Sequence, residues 1–240
     1  APPTQRAIFG FGNGGGNTAI TNLVNSSGVV GSNVTGVGTV RNGLAAAGYG
    51  SDKAIFGFGN TGSATGITNL VNNSGVVGSD VTGVGTARHY AAGVGYGSTG
   101  QAIFGYGTTA PLRSTTNLVT NQGVVGSDVS GVGTARSGLG AAGYGGDKAI
   151  FAYGYAGSNT AVSNLVNNQG VVAADVSGVG SVRDITAAAS YGGDKAIFAY
   201  GVHAGTNLSV SNLVNSSGVV AADVSGVGLA RQGLAAAGYS

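Results

Sequence analysis

The residues that could do chemistry are few, and most of them recur at fixed places. The 240 residues contain two His, eight acidic residues that are all Asp, and no Cys. A Ser-His-Asp triad or a His-rich metal site needs these groups in one cluster. His89 and His203 stand at non-equivalent places in the repeated sequence, and the Ser residues have turn-like neighbours. We therefore predict no catalytic residues, no metal ligands and no cofactor.

Two charged residues recur along the chain. We interpret both as structural: the Asp accepts hydrogen bonds from backbone amides in a turn, and the Arg ties neighbouring units together. Asn33 stands in place of the first Asp, which argues against a calcium site that needs the carboxylate. The alternatives are calcium ligation by the Asp residues and a ring of five ligand-binding Arg residues. The two sets are Arg41, Arg88, Arg136, Arg183 and Arg231, and Asp80, Asp128, Asp175 and Asp223.

A glycine-rich motif of the dinucleotide-binding pattern Gly-x-Gly-x-x-Gly occurs three times, beginning at Gly10, Gly57 and Gly95. A dinucleotide site needs this motif between a strand and a helix, with an acidic residue about 20 positions later. Here the motif falls among short apolar segments and turns, with no helical pattern after it. The sequence therefore does not predict a nucleotide site.

The composition limits the possible partners. Charged residues make up 8% of the chain, the net charge is +2, and Gly accounts for 49 residues. The few basic residues are spread out, so we expect no nucleic-acid partner. No apolar run reaches the length that a membrane-spanning helix needs, so we expect no membrane insertion.

These residues are positioned by five copies of one unit. The apolar segment Ala7–Gly12 returns at intervals of 47 or 48 residues, and each copy is followed by Asn-Leu-Val and then by the Arg. In the second copy four short strands are predicted, beginning at Leu44, Ala54, Ile67 and Gly75, because β-branched and aromatic residues alternate with Gly, Asn and Asp turns.

The order of these strands predicts the architecture. The chain begins on the second strand of a unit and finishes on a first strand, Leu234 to Tyr239. That last strand can complete the first blade, so we predict an all-β, five-bladed β-propeller of four-stranded repeats, a single domain over residues 1–240. First strands made of small residues fit the crowded centre of a narrow ring. The Phe of each second strand, from Phe9 to Phe198, would pack between neighbouring sheets.

The segment from Arg136 to Gly154 resembles a kelch motif. It has an Arg, a small-residue first strand, a Gly-Gly-Asp-Lys turn and an apolar second strand. The resemblance covers all five units, without the Gly-Gly doublet after the second strand and without Trp in the fourth. It implies a kelch-like β-propeller. The repeats are also similar to those of structural and tail-associated proteins of bacteriophages, which implies a virion component.

Variable loops follow the second strand of each unit and are expected on one face of the ring. Loops carry function on rigid scaffolds, and these hold most of the divergence between units; drift in an unconstrained surface is the alternative. The candidate partner-binding residues are Asn13, Asn17, Asn60, Thr65, Arg113, Tyr155, Asn159, His203 and Asn207.

The sequence leads to a non-enzymatic structural or adhesive module, in a virion or extracellular, whose partners are other structural proteins or cell-surface glycans. The alternative is a lectin-like propeller with one sugar site per repeat, because several weak sites gain avidity. Sugar sites favour aromatic platforms, and the available aromatic residues lie in regular strands. A third possibility, an intracellular kelch-like interaction platform, fits the low charge less well.

Overall fold

The computed structural model describes residues 6–238, and these residues form five antiparallel sheets. We number the sheets 1 to 5 in chain order. Sheet 1 has two strands and each of the others has three, paired in sequence order. The strands are β1 (Ala7–Asn13) and β2 (Asn17–Val24); β3 (Ala45–Tyr49), β4 (Lys53–Gly57) and β5 (Thr68–Val71); β6 (Ala92–Tyr96), β7 (Gln101–Gly105) and β8 (Thr116–Val119); β9 (Gly140–Tyr144), β10 (Lys148–Ala152) and β11 (Ser163–Val166); and β12 (Ala187–Tyr191), β13 (Lys195–His203) and β14 (Thr206–Val214).

The fourth strand of each unit was predicted wrongly. After β5, the segment that begins at Gly75 makes only two isolated bridges, Val77 with Val71 and Val81 with Thr68. A side chain explains why regular pairing stops: Asn69 Nδ2 donates to the carbonyl of Gly78 at 3.1 Å, where a strand would use a backbone amide. The outer segment is therefore held partly by side chains.

Sheet 1 lacks a first strand among the described residues. β1 pairs with β2, while residues 234–238 belong to no strand. Tyr239, the last residue of the segment expected to complete this sheet, lies outside the described residues. The structure thus shows five sheets in a row of repeats without showing that the row closes into a ring.

Aromatic side chains fill the space between successive sheets. Phe56, Phe104, Phe151 and Phe198 are at most 4% exposed, in agreement with the predicted packing, whereas Phe9 is 48% exposed. Each buried Phe meets an aromatic ring of the preceding sheet; Phe104, for example, lies 5.4 Å from Phe58 between ring centroids in an edge-to-face arrangement. Burying one such ring contributes roughly 1.5–3 kcal/mol.

The first strands of sheets 2 to 5 lie side by side and hold two cavities at opposite ends. Small residues permit the close approach: a Cβ added at Gly93 would stand 2.7 Å from the carbonyl oxygen of Ala46 in the neighbouring first strand. The smaller cavity, of about 140 Å³, is lined by the same position of all five units, namely Gly43, Tyr90, Gly138, Ile185 and Gly233. The five units therefore converge on one region.

Candidate functional site: the joint between sheets

Arg136 shows how two neighbouring sheets are joined. This fully buried side chain follows sheet 3 and reaches into sheet 4. Its Nε donates to the carbonyl of Tyr153 at 2.9 Å, and its Nη2 donates to Oδ1 of Asn164 at 2.7 Å. Nη1 donates to the carbonyl of Thr134 at 3.0 Å. Three donors of the guanidinium are thus satisfied, as a buried charge requires.

An Asn and an Asp of the following sheet complete the joint. Asn164 is fully buried, and its Nδ2 donates to Oδ1 of Asp175 at 2.9 Å. Asp175 in turn accepts hydrogen bonds from Thr134, from the backbone amide at 3.0 Å and from Oγ1 at 2.5 Å. Arg, Asn, Asp and Thr therefore form one continuous network that crosses the boundary twice.

The guanidinium also lies on an aromatic ring. The Cζ atom of Arg136 is 4.2 Å from the ring centroid of Tyr106, the residue that directly follows β7 of sheet 3. Tyr106 has a φ of 63°, in the left-handed region that is costly for a residue with a side chain. The four equivalent residues share this conformation: Phe11, Phe58, Tyr153 and Tyr200. The strained residue turns its ring toward the next sheet. The stacking and burial of the ring there offset the unfavourable backbone conformation.

The bond from Arg to Asn to Asp is built four times within the described residues, although the buried Nε that has a partner in Arg41 and Arg136 has none in Arg88 and Arg183. Arg41, Arg88 and Arg183 are also fully buried, and each donates to the Asn of the following sheet at 2.7 to 2.8 Å. The Asn residues are Asn69, Asn117, Asn164 and Asn212, and the Asp residues beside them are Asp80, Asp128, Asp175 and Asp223. Arg231 makes the same bond to the carbonyl two residues before it, that of Leu229, but it is exposed and no Asn partner is found for it among the described residues.

Burial and hydrogen bonding act on the ionisation of the joint. Burial lowers the pKa of Arg88 to about 10, against the opposing effect of Asp128, so the guanidinium stays charged at neutral pH. Burial also acts on Asp128 of the same joint and would raise its pKa, but hydrogen bonds from Thr86 and Asn117 outweigh it and hold the pKa below the ordinary 3.8. Both partners are ionised at neutral pH.

Glycine is needed where the chain passes the network. Gly133 has a φ of 75°, and a Cβ at this position would stand 2.5 Å from Nδ2 of Asn164 and closer still to Oδ1 of Asp175. Gly38, Gly85 and Gly180 show the same approach to their own Asp. The joint therefore explains the second Gly of the Gly-Val-Gly sequence before each of the four buried Arg residues.

Several predicted loop residues are used to hold neighbouring loops together. Asn17 donates from Nδ2 to the carbonyl of Asn60 at 3.0 Å, and Asn159 donates to the carbonyl of Val202 at 3.3 Å. Asn60 also pairs with Asn42 across an isolated bridge. The amide of Thr65 donates to the carbonyl of Gly59 at 2.9 Å. The structure thus gives these polar side chains and backbone groups partners within the array.

The nine candidates do not all come together, but four of them are neighbours across sheets 4 and 5. Tyr155 forms a bridge with Asn159, whose side chain bonds the backbone of Val202 and Ala204 on either side of His203, and Val202 pairs with Asn207. In sheets 1 and 5 the expected loop is a continuous hairpin, with Asn13 paired to Asn17, His203 to Thr206 and Asn207 to Val202. Arg113 has a buried Nε without a hydrogen-bond partner. The ring of Tyr155 is 43% exposed.

The larger cavity, of about 370 Å³, lies at the other end of the first strands. Its rim carries Lys53, Gln101 and Lys148. Each Lys is paired with the Asp that precedes it, for instance Lys148 Nζ with Asp147 at 2.9 Å. Glycine and tyrosine supply most of the remaining lining, so the cavity offers backbone groups and paired charges.

Within residues 6–238 no group of three or more His, Cys, Asp or Glu residues could hold a metal ion. In the same range no helix is long and apolar enough to span a membrane. Comparison with protein-family models and with curated proteins gives no match.

The joint contains residues that sequence reasoning missed. The Asn of each Asn-Leu-Val segment was recognised as a repeated mark but not as the acceptor of the Arg. Its position supplied a signal: in Thr-Asn-Leu-Val the Asn and the Val fall on the same face of the strand. A polar residue at fixed spacing on a buried face must find a hydrogen-bond partner. The hydroxyl residues Thr39, Thr86, Thr134 and Ser181 were missed as well.

Proposed function

We propose that the five sheets close into a five-bladed, kelch-like propeller. The convergence of all five units on one cavity supports this arrangement. So does the C-terminal segment, because Leu234 lines that cavity and a Cβ at Gly238 would meet the carbonyl of Ser190 in β12. Residues 234–238 thus lie beside β12, as each first strand lies beside the first strand of the preceding sheet. Paired with β1 in the register of β3 with β4, they would place Ala237 opposite Ile8.

A disulfide tests this closure, and the absence of native Cys makes the test clean. The closure variant carries Ile8→Cys with Ala237→Cys, and the control carries Ile55→Cys with Ala47→Cys, a pair that is opposite in β4 and β3. Directly opposite residues bring their Cβ atoms within reach of a disulfide. We expect both proteins to form an intrachain bond in the monomer under mild oxidation. A bond in the control alone would refute the closure.

We further propose that the protein is a non-enzymatic structural or adhesive part of a virion, such as a fibre, collar or decoration. One observation carries the structural role: in the four formed joints, the recurring Arg, Asn, Asp and Thr or Ser groups are bonded to one another across sheet boundaries. Groups occupied in this way are not free for substrate chemistry. The virion assignment rests on the resemblance of the repeats to tail-associated proteins.

The experiment is a search for the protein in virus particles. Virus particles from a culture that carries the gene are purified on a density gradient, and the fractions are examined by mass spectrometry for peptides of this chain. We expect the peptides to co-sediment with the major capsid peptides and to persist after nuclease and high-salt washes. Peptides found only in the soluble, particle-free fraction would refute a virion role.

A second candidate function is carbohydrate binding, favoured by Tyr90. Its ring is 50% exposed, lies at the cavity on which the five units converge, and has a left-handed φ of 51°. Exposed aromatic rings held by a strained backbone are suitable platforms for a sugar. A glycan array with the purified protein tests this function, with Tyr90→Ala as the variant and Tyr191→Ala, an exposed ring at the opposite end of the first strands, as the control. Binding that only Tyr90→Ala removes would support it; no binding at millimolar sugar would refute it.

A further inference from the structure

The two ends of the array carry the separate halves of a fifth joint. On the side of sheet 5, Arg231 lies over the ring of Tyr200 at 4.0 Å, as the other four Arg residues lie over theirs. On the side of sheet 1, Asn22 donates to Oδ1 of Asn33 at 3.0 Å, as each later Asn donates to its Asp. Phe9 is the remaining part, the counterpart of Phe56. The residues that would form a joint are all present in the described chain.

Exposure shows that these halves are unpartnered in the structure. Arg231 is exposed and Phe9 is 48% exposed, while their counterparts in the formed joints are buried. Val227 and Leu229, on the same side as Arg231, are each 79% exposed, whereas Val84 at the equivalent of Val227 is 40% exposed. A Cβ at Gly228 would meet only the Tyr200 hydroxyl at 3.8 Å, although Gly133 is enclosed by its joint.

Two substitutions distinguish this joint from the four that are formed. Leu229 replaces the Thr or Ser whose hydroxyl donates to the Asp, and Asn33 replaces that Asp. Donor hydroxyl and acceptor carboxylate are lost together, one at each end of the chain. The two changes compensate each other only where Leu229 and Asn33 face one another, because an Asp without its hydroxyl donor would leave a charge poorly satisfied.

We propose that sheet 5 of this chain docks on its own sheet 1, with Arg231 donating to Asn22 and Tyr200 packing on Phe9. This joint is the weakest of the five, because the Leu229–Asn33 pair has no charge-assisted hydrogen bond. The ring therefore opens here first. The inference rests on the closed propeller proposed above and adds to it the residues of the closing contact. The occupant is the first sheet of the same chain because the joint repeats an interface that the chain already forms four times.

A double-mutant cycle tests the contact at exposed positions that tolerate substitution. Leu229→Thr and Asn33→Asp are made singly and together, and the equilibrium constant for folding is measured by urea denaturation. We express each variant's folding constant relative to that of the unchanged protein. We expect the ratio for the double variant to be roughly fivefold larger than the product of the two single-variant ratios, which is the contribution of one restored hydrogen bond. The matched control, Thr134→Leu with Asp175→Asn, reverses the same change in a formed joint and should show a coupling of the same size.

Sedimentation at several protein concentrations separates the possible outcomes. Coupling in a monomer, independent of concentration, supports the proposal. Coupling that appears only with head-to-tail oligomers assigns the face to a second copy and overturns it. Additive single effects also overturn it. If the closure variant with Ile8→Cys and Ala237→Cys nevertheless forms its disulfide, the closed ring stands without this joint.

A second comparison uses backbone strain as an internal reference. Gly133 and Gly228 have φ values of 75° and 76°, so an Ala at either position has the same backbone penalty. If the closing joint forms, Gly228→Ala should lower the folding constant nearly as much as Gly133→Ala. An effect of Gly228→Ala at least tenfold smaller would contradict the contact.

Discussion

Replacing Arg136 with Met removes the centre of one joint while keeping an apolar stem of similar length. The change leaves Oδ1 of Asn164 and the carbonyl of Tyr153 buried without the donors that lie at 2.7 and 2.9 Å. Each buried acceptor without a partner costs about 1–3 kcal/mol, and the lost stacking on Tyr106 costs about 1 kcal/mol more. These losses total about 3–7 kcal/mol, but losses within one network are not additive. We expect the free energy of unfolding to fall by about 3–5 kcal/mol, the range seen when one partner of a buried pair is removed.

Thermal denaturation followed by circular dichroism measures this effect. A loss of that size lowers the midpoint by roughly 6–20 °C in a chain of this length. Arg136→Lys keeps the charge but not the planar fork, so an intermediate loss is expected. Arg6→Met, at an exposed position before β1, is the control and should change stability by no more than about 0.5 kcal/mol. A loss below about 1 kcal/mol for Arg136→Met would refute the reasoning.

Three further predictions concern the joints and one half-buried carboxyl group, that of Asp184. Tyr106→Phe removes the hydrogen bond from the hydroxyl to the carbonyl of Val132 and should cost about 1 kcal/mol, whereas Tyr106→Ala should cost about 3–5 kcal/mol in urea denaturation. The pKa of Asp175 is lowered in the fold, so the stability that its charge provides is present above pH 3.8 and is lost as the pH falls below that value. Asp175→Asn should therefore flatten the loss of stability between about pH 5 and 2. An unchanged dependence of stability on acid pH would contradict this. Burial raises the pKa of Asp184, so its charge opposes folding at neutral pH. Asp184→Asn should therefore raise the midpoint of thermal unfolding at pH 7 and leave it unchanged at pH 3. A lower midpoint at pH 7 would show that the carboxylate is needed.

The repeat made much of the fold predictable from sequence. Three of the four strands in each complete unit fall where β-branched and aromatic residues alternate between turn residues, and β4 and β5 lie within two residues of their predicted starts. The packing of Phe56 and its counterparts followed from the periodic pattern. Local sequence and spacing decide these features.

The features that were not predicted depend on contacts between residues that are far apart in the sequence. The outer segment after β5 has strand-forming valines, yet the side chain of Asn69 takes the carbonyl of Gly78, which a fourth strand would pair with a backbone amide. Intrinsic propensities do not predict the left-handed conformation of Phe58, because packing against the next sheet imposes it. Phe9 has the same sequence context as Phe56, and only the arrangement of the sheets separates the exposed ring from the buried one.

The candidate loops show the same limit. Divergence between units marked them for function, but divergence alone does not distinguish a binding surface from packing between neighbouring loops. The bonds from Asn17 to Asn60 and from Asn159 to Val202 depend on the distance between sheets, which no single unit encodes. Their role in binding stays a prediction.

The central claim is that the repeated Arg and the Asn of the following sheet hold neighbouring sheets together. A double-mutant cycle on Arg136→Met and Asn164→Leu measures it most directly, because the two side chains meet at 2.7 Å across one boundary. We predict a coupling of about 2 kcal/mol, as for a buried hydrogen bond to a charged group. Additive losses, with a coupling near zero, would contradict the claim.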